Sequence, residues 1–360
     1  MRDIWYLVLP LIISALITPA VKQIGYRLDA FAQMNERTVH HGRIVRIGGV
    51  AIYLAFIITM ALFVKTDMSM NGILIGSTIM FIGGLIDDLV NLKPLYKFGF
   101  QVVAAIVLIA SGVTLDVIRL PLGITINMGV VSFIVTFFWI TGITNAVNLI
   151  DGLDGLCGGI CVIILTVIAM LSIIEGRSDV EMIALILVGA TLGFLIYNAH
   201  PASIFMGDCG ALFLGFIISA ISLLGFKSST IMTLALPLLL LALPIIDTLS
   251  AILRRTLKGH KFSEADKSHI HHLLMNKFGH KNTVIIMCIV TALFGLTAYV
   301  YMINKGIGLI SLFVIMLAVD LFIEASGMIS EKYHPILSVS RRIIRRMMRK
   351  KNIPEGDQRK

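Results

Sequence analysis

Eleven apolar windows punctuate this chain: residues 4–24, 48–64, 72–86, 99–113, 130–144, 158–174, 182–197, 211–226, 231–253, 284–303 and 308–323. A helix rises 1.5 Å per residue, so about 20 apolar residues cross the hydrocarbon core of a bilayer. There every backbone N–H and C=O must be satisfied internally, which favours helices for windows of this length. The expected fold is an all-α polytopic integral membrane protein of about eleven transmembrane helices. A mean hydropathy of +0.93 and a charged fraction of 14% exclude an ordinary soluble domain. The first window is long for the core of a cleaved signal peptide, so it is expected to be a retained span.

Charge sets the orientation. With the N-terminus outside, the inner segments hold 24 of the 30 Lys and Arg residues, which predicts a cytoplasmic C-terminus. The net charge of +9 is thereby assigned to inner loops and anionic lipid, not to nucleic acid. Residues 1–330 are expected to form the membrane domain and 331–360 a basic cytoplasmic tail. Its SRRIIRRMMRKK stretch segregates Ile and Met from Arg, as an interfacial helix on anionic lipid does. The four cysteines lack zinc spacing and read as free thiols. LDVIRLPLGITINMG, between the fourth and fifth windows, reads as a small outer β-hairpin with Pro121 and Gly123 at its turn.

Five polar clusters lie an even number of spans apart and so are expected to share the cytoplasmic face. NAVNLIDGLDGL places Asn145, Asn148, Asp151 and Asp154 at three-residue steps, which on continuous helix would fan across one side. Acids and amides where a membrane helix meets water suggest a Mg²⁺ or nucleotide site. Asp87 and Asp88 close the third window; adjacent carboxylates at a bilayer edge call for a cation, a basic neighbour or a raised pKa. In NAHPASIFMGDCGALFLG, Asp208 precedes an apolar helix, with Asn198 and His200 nearby. The loop NERTVHHGRIVRIGG offers Arg37, His40 and Arg46 to a phosphate, or serves as an ordinary basic inner loop. His269, His271 and His272 lie among basic residues without HExxH spacing, which favours anion binding over zinc. Carboxylates for a divalent cation and cations for phosphates on one face match phosphoryl-type transfer to a lipid. An ion-coupled transporter is the alternative class, but its site would be expected nearer the midplane.

GLIDDLVNLKP, NAVNLIDGLDGL, FMGDCGALFLG and SHIHHLL, in this order, resemble the polyprenyl-phosphate N-acetylhexosamine-1-phosphate transferases. HIHH in the last inner loop is similar to the bacterial branch that uses UDP-N-acetylglucosamine and undecaprenyl phosphate. A phospho-N-acetylmuramoyl-pentapeptide transferase or another UDP-N-acetylhexosamine specificity is the alternative. The resemblance implies a multi-pass enzyme of the bacterial cytoplasmic membrane that starts teichoic acid, O-antigen or related glycans, with Mg²⁺ as cofactor and Mn²⁺ as a substitute. It implies Asn148 and Asp208 as metal ligands, Asp151 and Asp154 at the nucleotide, Asp87 and Asp88 at the lipid phosphate, and His269, His271 and His272 at the diphosphate. Arg37, His40, Arg46, Asn145 and Asn198 are expected at the substrates, and a homodimer is an expected assembly. A phosphate monoester has a second pKa near ~6, so Asp87 is expected to position the acceptor more than to deprotonate it.

Overall fold

The computed structural model describes residues 2–32, 43–64, 67–119, 125–225 and 270–325. The helices are α1 (Arg2–Arg27), α2 (Gly49–Phe63), α3 (Met68–Val90), α4 (Pro94–Ala110), α5 (Val131–Ile150), α6 (Leu156–Ile174), α7 (Ser178–Asn198), α8 (Gly207–Gly225), α9 (Ile270–Phe278), α10 (His280–Ile303) and α11 (Lys305–Ala325). Among the described residues, seven helices are long and apolar enough to cross a bilayer, and α2, α4 and α11 are shorter apolar helices. The window at 231–253, the residues Arg37, His40 and His269, and the basic tail lie outside the described residues.

Helix α8 is the hub. In its apolar window 89% of residues are buried, against 22% in α1, and it packs against α2, α3, α5, α6 and α7. Outward-facing positions carry large apolar side chains such as Leu16, Phe138 and Phe313, each about two-thirds or more exposed. That surface is unfavourable in water at roughly 25 cal/mol per Å² and is at home in lipid. Inside, hydroxyls bond to their own helices, as Thr59 does to the Ala55 carbonyl and Thr144 to that of Ile140. Trp139 on α5 directs its indole N–H to the Ser219 carbonyl of α8 at 3.3 Å.

The ends of the elements place the polar groups. Asp67 caps α3 by accepting from the Met70 amide at 2.7 Å. Asn91 closes it in the left-handed region with φ 52°, so α3 outruns the expected window and carries Asp87 and Asp88 in its last turn. Pro94 opens α4 at a position where its missing N–H costs nothing. Helix α5 ends at Ile150, and Gly155 (φ 73°) precedes α6. The expected fan is therefore broken: Asn145 and Asn148 lie on the helix, Asp151 at its cap, and Asp154 in a turn that leads elsewhere. Strands β1 (Val117–Arg119) and β2 (Thr125–Asn127) pair antiparallel with Ile118 opposite Ile126.

Candidate functional site

The site forms where the last turn of α3 meets the first turn of α8. Asp88 is buried, and its carboxylate accepts from the amides of Asp208 (3.0 Å) and Cys209 (2.9 Å), capping α8 from a neighbouring helix. Gly207 makes this possible. Its φ is 75°, and a Cβ there would strike the Arg46 carbonyl and stand 2.6 Å from Asp88 Oδ2. Gly84, one turn before Asp88, lets the backbones of α3 and α8 touch, since a Cβ would lie 2.5 Å from the Asp208 carbonyl oxygen. We expect Gly207→Ala to lower stability by about 2–4 kcal/mol through strain and overpacking. Thermal unfolding in detergent measures this; an unchanged melting temperature would show that the Asp88 cap tolerates displacement.

Arg46 completes the junction. Its Nε donates to the Asp88 carbonyl at 2.8 Å and its Nη2 to the Asp87 carbonyl at 3.1 Å and to Asn91 Oδ1. It thus satisfies the carboxyl end of α3, where a cation also complements the helix dipole. The preceding strand-like segment is held by the Phe205 amide, which donates to the Val45 carbonyl at 2.8 Å. Arg46 therefore ties the segment before α2, which is itself bonded to the α7–α8 connection, to the carboxyl end of α3.

Asp208 projects from the first turn of α8 between two helices. Lys97 Nζ on α4 lies 2.6 Å from its Oδ2, and Asn148 Nδ2 on α5 donates to its Oδ1 at 3.1 Å. The same Lys97 reaches Asp87 Oδ2 at 2.7 Å, while Asp87 Oδ1 accepts from the Leu92 amide at 2.7 Å. Asn145, one turn before Asn148, exchanges two amide hydrogen bonds with Gln101 of α4 at 2.9 and 3.0 Å. Beside these groups a cavity of about 340 Å³ is lined by Pro94, Lys97, Phe98, Gln101, Asn145, Asn148 and Leu212, a mixture of polar and apolar side chains.

Asp151 adds a fourth carboxylate. Burial, then the Asp208 and Asp88 charges, push its pKa up to about 8, although the Gly207 amide bonds to it. Four acidic side chains thus gather around Lys97 and Arg46, an oxygen-rich surplus of the kind a hard divalent cation takes, and Asp208 and Asn148 are the residues that could hold one. With its pKa raised to about 8, Asp151 holds a proton more readily than an ordinary carboxyl, and a cation bound beside it should expel that proton. We expect Mg²⁺ added to weakly buffered protein to release protons at pH 7, and Mg²⁺ affinity to rise with pH up to about 8 and then level. Affinity independent of pH would place Asp151 beyond the cation's influence.

A second cluster adjoins the first. Asp154, His200 and His280 bring their potential ligand atoms within 4.8 Å of one another. Asn198 is buried and holds the loop around them, accepting from the Gly155 amide at 3.1 Å and donating to the Ile204 carbonyl at 2.9 Å. His271 and His272 lie in the first turn of α9. Lys97, Gln101 and His280 are the members that the sequence patterns did not single out. Lys97 had a faint signal, a lysine one helical turn from Pro94 and close to the acidic pair in sequence.

Glycosyl transferase family 4 matches residues 70–226, which contain Asp87, Asp88, Lys97, Asn148, Asp151 and Asp208. Over 345 residues the chain is 37% identical to the probable undecaprenyl-phosphate N-acetylglucosaminyl 1-phosphate transferase of Bacillus subtilis, covering 94% of this chain and 96% of that one. The decaprenyl-phosphate N-acetylglucosaminephosphotransferase of Mycobacterium tuberculosis is 32% identical over 315 residues, 77% of this chain and 76% of its own. The phospho-N-acetylmuramoyl-pentapeptide-transferase of Clostridium kluyveri is 33% identical over 276 residues, 70% and 83% of the two chains. Likeness running through nearly the whole length of the first of these makes this chain a member of glycosyl transferase family 4, among its polyprenyl-phosphate N-acetylhexosamine-1-phosphate transferases.

Proposed function

We propose that this protein transfers N-acetylglucosamine 1-phosphate from UDP-N-acetylglucosamine to undecaprenyl phosphate at the cytoplasmic face of a bacterial membrane. The products are undecaprenyl-diphospho-N-acetylglucosamine and UMP. The observation that carries this reading is the Asp208 junction, where one carboxylate meets Asn148, Lys97 and, through Lys97, Asp87. The relatives' names support the sugar and the lipid carrier.

In the reaction an oxygen of the acceptor phosphate forms a bond to the β-phosphorus, and the bond from that phosphorus to the bridging oxygen breaks, so UMP leaves with the bridging oxygen. Mg²⁺, when bound, would neutralise charge on the diphosphate and on the departing UMP. Asp208 and Asn148 would hold it, while Lys97 offers a cation to a phosphate beside them. Asp87 has one oxygen on the Leu92 amide and the other on Lys97, an arrangement suited to orienting a cation and acceptor phosphate more than to receiving a proton. The acceptor needs little help there, since its second pKa lies near ~6. The cavity beside α4 and α5 offers Lys97 to a phosphate and Phe98 and Leu212 to a lipid chain.

The test is UMP release by purified protein given UDP-N-acetylglucosamine, undecaprenyl phosphate and Mg²⁺, with UDP-N-acetylmuramoyl-pentapeptide as competing donor. Turnover of the first donor and not the second is expected. Preference for the pentapeptide donor would reassign the sugar, and absence of UMP with every UDP-sugar would overturn the transferase reading for this chain.

A further inference from the structure

Three separate stretches of chain meet at Asp154. It lies in the turn between α5 and α6, His200 and Ala202 in the α7–α8 connection, and His280 opens α10. The Asp154 side chain is 1% exposed; its Oδ2 accepts from the Ala202 amide at 3.1 Å and lies 2.9 Å from His200 Nδ1. Its own amide donates to His280 Nε2 at 3.2 Å. The two imidazoles stack with centroids 4.2 Å apart and 23° between their planes.

The direction of the amide bond decides what this trio is. A backbone N–H only donates, so His280 Nε2 must accept and the ring carries its hydrogen on Nδ1. A metal ion on Nε2 would have to displace the Asp154 amide from the same lone pair. The trio is therefore a hydrogen-bonded clasp before it is a metal site, close as its atoms are.

The clasp reaches further through Gly279. This residue alone separates His280 from α9, with φ 77° and ψ 168°. Helix α9 carries His271 and His272, so the point where His280 is pinned also fixes one end of that helix relative to the Asp154 turn.

We propose that His280 is a positioning residue for the donor nucleotide: by holding the Asp154 amide and stacking on His200, it locks the turn after α5 to the α7–α8 connection and to the root of α9. The inference rests on the transferase reading, in which the donor diphosphate lies at Asp208 and Asn148, beside the turn that carries Asp151 and Asp154.

Steady-state UMP release should be measured for wild type, His280→Ala, His280→Gln and His200→Ala, varying each substrate separately. His280→Ala removes one buried acceptor, so its KM for UDP-N-acetylglucosamine is expected to rise about tenfold. KM for undecaprenyl phosphate should stay within about twofold, because that substrate is assigned to the Asp87–Lys97 side. Gln can place an acceptor oxygen near the Nε2 position, so His280→Gln should recover most of the donor KM. His200→Ala removes the stacked ring from a half-exposed position with little risk to folding, and a smaller rise confined to the donor is expected. A loss that falls equally on both substrates, no change in the donor KM, or failure of Gln to restore it would overturn the proposal. Should His280→Ala not fold, the His280→Gln and His200→Ala results decide by the same criteria. An active wild type with unaffected variants removes the clasp alone, whereas a wild type that releases no UMP from any UDP-sugar removes the transferase reading and the clasp's role with it.

Discussion

Asp208→Asn is expected to lower turnover by about three orders of magnitude, the scale seen when a preorganised electrostatic group leaves a phosphoryl-transfer site. The substitution is nearly isosteric and preserves the first turn of α8, whose amides are held by Asp88 and not by the Asp208 side chain. What it removes is the charge that meets Lys97 at 2.6 Å and the anionic oxygen beside Asn148. Mg²⁺ dependence should change together with turnover, since Asp208 is the charged member of the proposed ligand pair. UMP release across a Mg²⁺ series, with melting temperature as control, provides the measurement. A folded variant retaining more than a tenth of wild-type activity would move the catalytic centre away from Asp208.

Lys97→Met is the second large effect, and its sign is mixed. Lys97 Nζ sits within salt-bridge distance of both Asp87 and Asp208, where it occupies ground that a divalent cation would also favour. Removing it leaves two carboxylates facing each other without a counterion. For a fully buried pair the cost would be about 3–5 kcal/mol, but the Lys97 side chain is 30% exposed, so solvent reduces the expected loss to about 1–2 kcal/mol. Mg²⁺ should restore that stability and should bind more tightly to the variant, because its competitor is gone. Turnover should nevertheless fall by about a hundredfold, since Lys97 is no longer there to meet a phosphate. Calorimetric Mg²⁺ titration and UMP release, taken on the same preparation, separate the two effects. Weaker Mg²⁺ binding in Lys97→Met would show that the lysine organises the cation site instead of competing for it.

Much of this centre is legible in the sequence because acids at the ends of apolar windows are costly and therefore conspicuous. Asp87, Asp88 and Asp208 stand out for that reason, Asn148 as an amide at such an end, and the even spacing of spans puts them at one end of the bundle. The windows themselves foreshadow the helices, though α3 and α5 run on into polar residues because capping and neighbour contacts, not hydropathy, decide where a helix stops. Lys97 is harder to see, because a lone lysine at an inner helix end looks like any other orienting charge. His280 is harder still: 126 positions separate it from Asp154, and it opens an apolar helix with nothing around it to mark a site. Arg46 and Asn198 illustrate the converse. The Asn198 side chain bonds to backbone groups, and that of Arg46 bonds to backbone carbonyls and to Asn91, so both hold loops and helix ends in place. No periodicity distinguishes a polar group aimed at a ligand from one aimed at a neighbouring carbonyl.

The cap that Asp88 places on α8 has a consequence for how anions are handled. A free helix amino end is a ready cradle for phosphate, with unpaired amides and the positive pole of the dipole facing the ligand. Here the amides of Asp208 and Cys209 are already engaged by a carboxylate from α3. The protein has thus closed off the rigid, backbone-built kind of phosphate recognition on this helix. Recognition there would fall to side chains such as Lys97 and to any cation held beside them, which can release one anion and accept another as charge moves from donor to product.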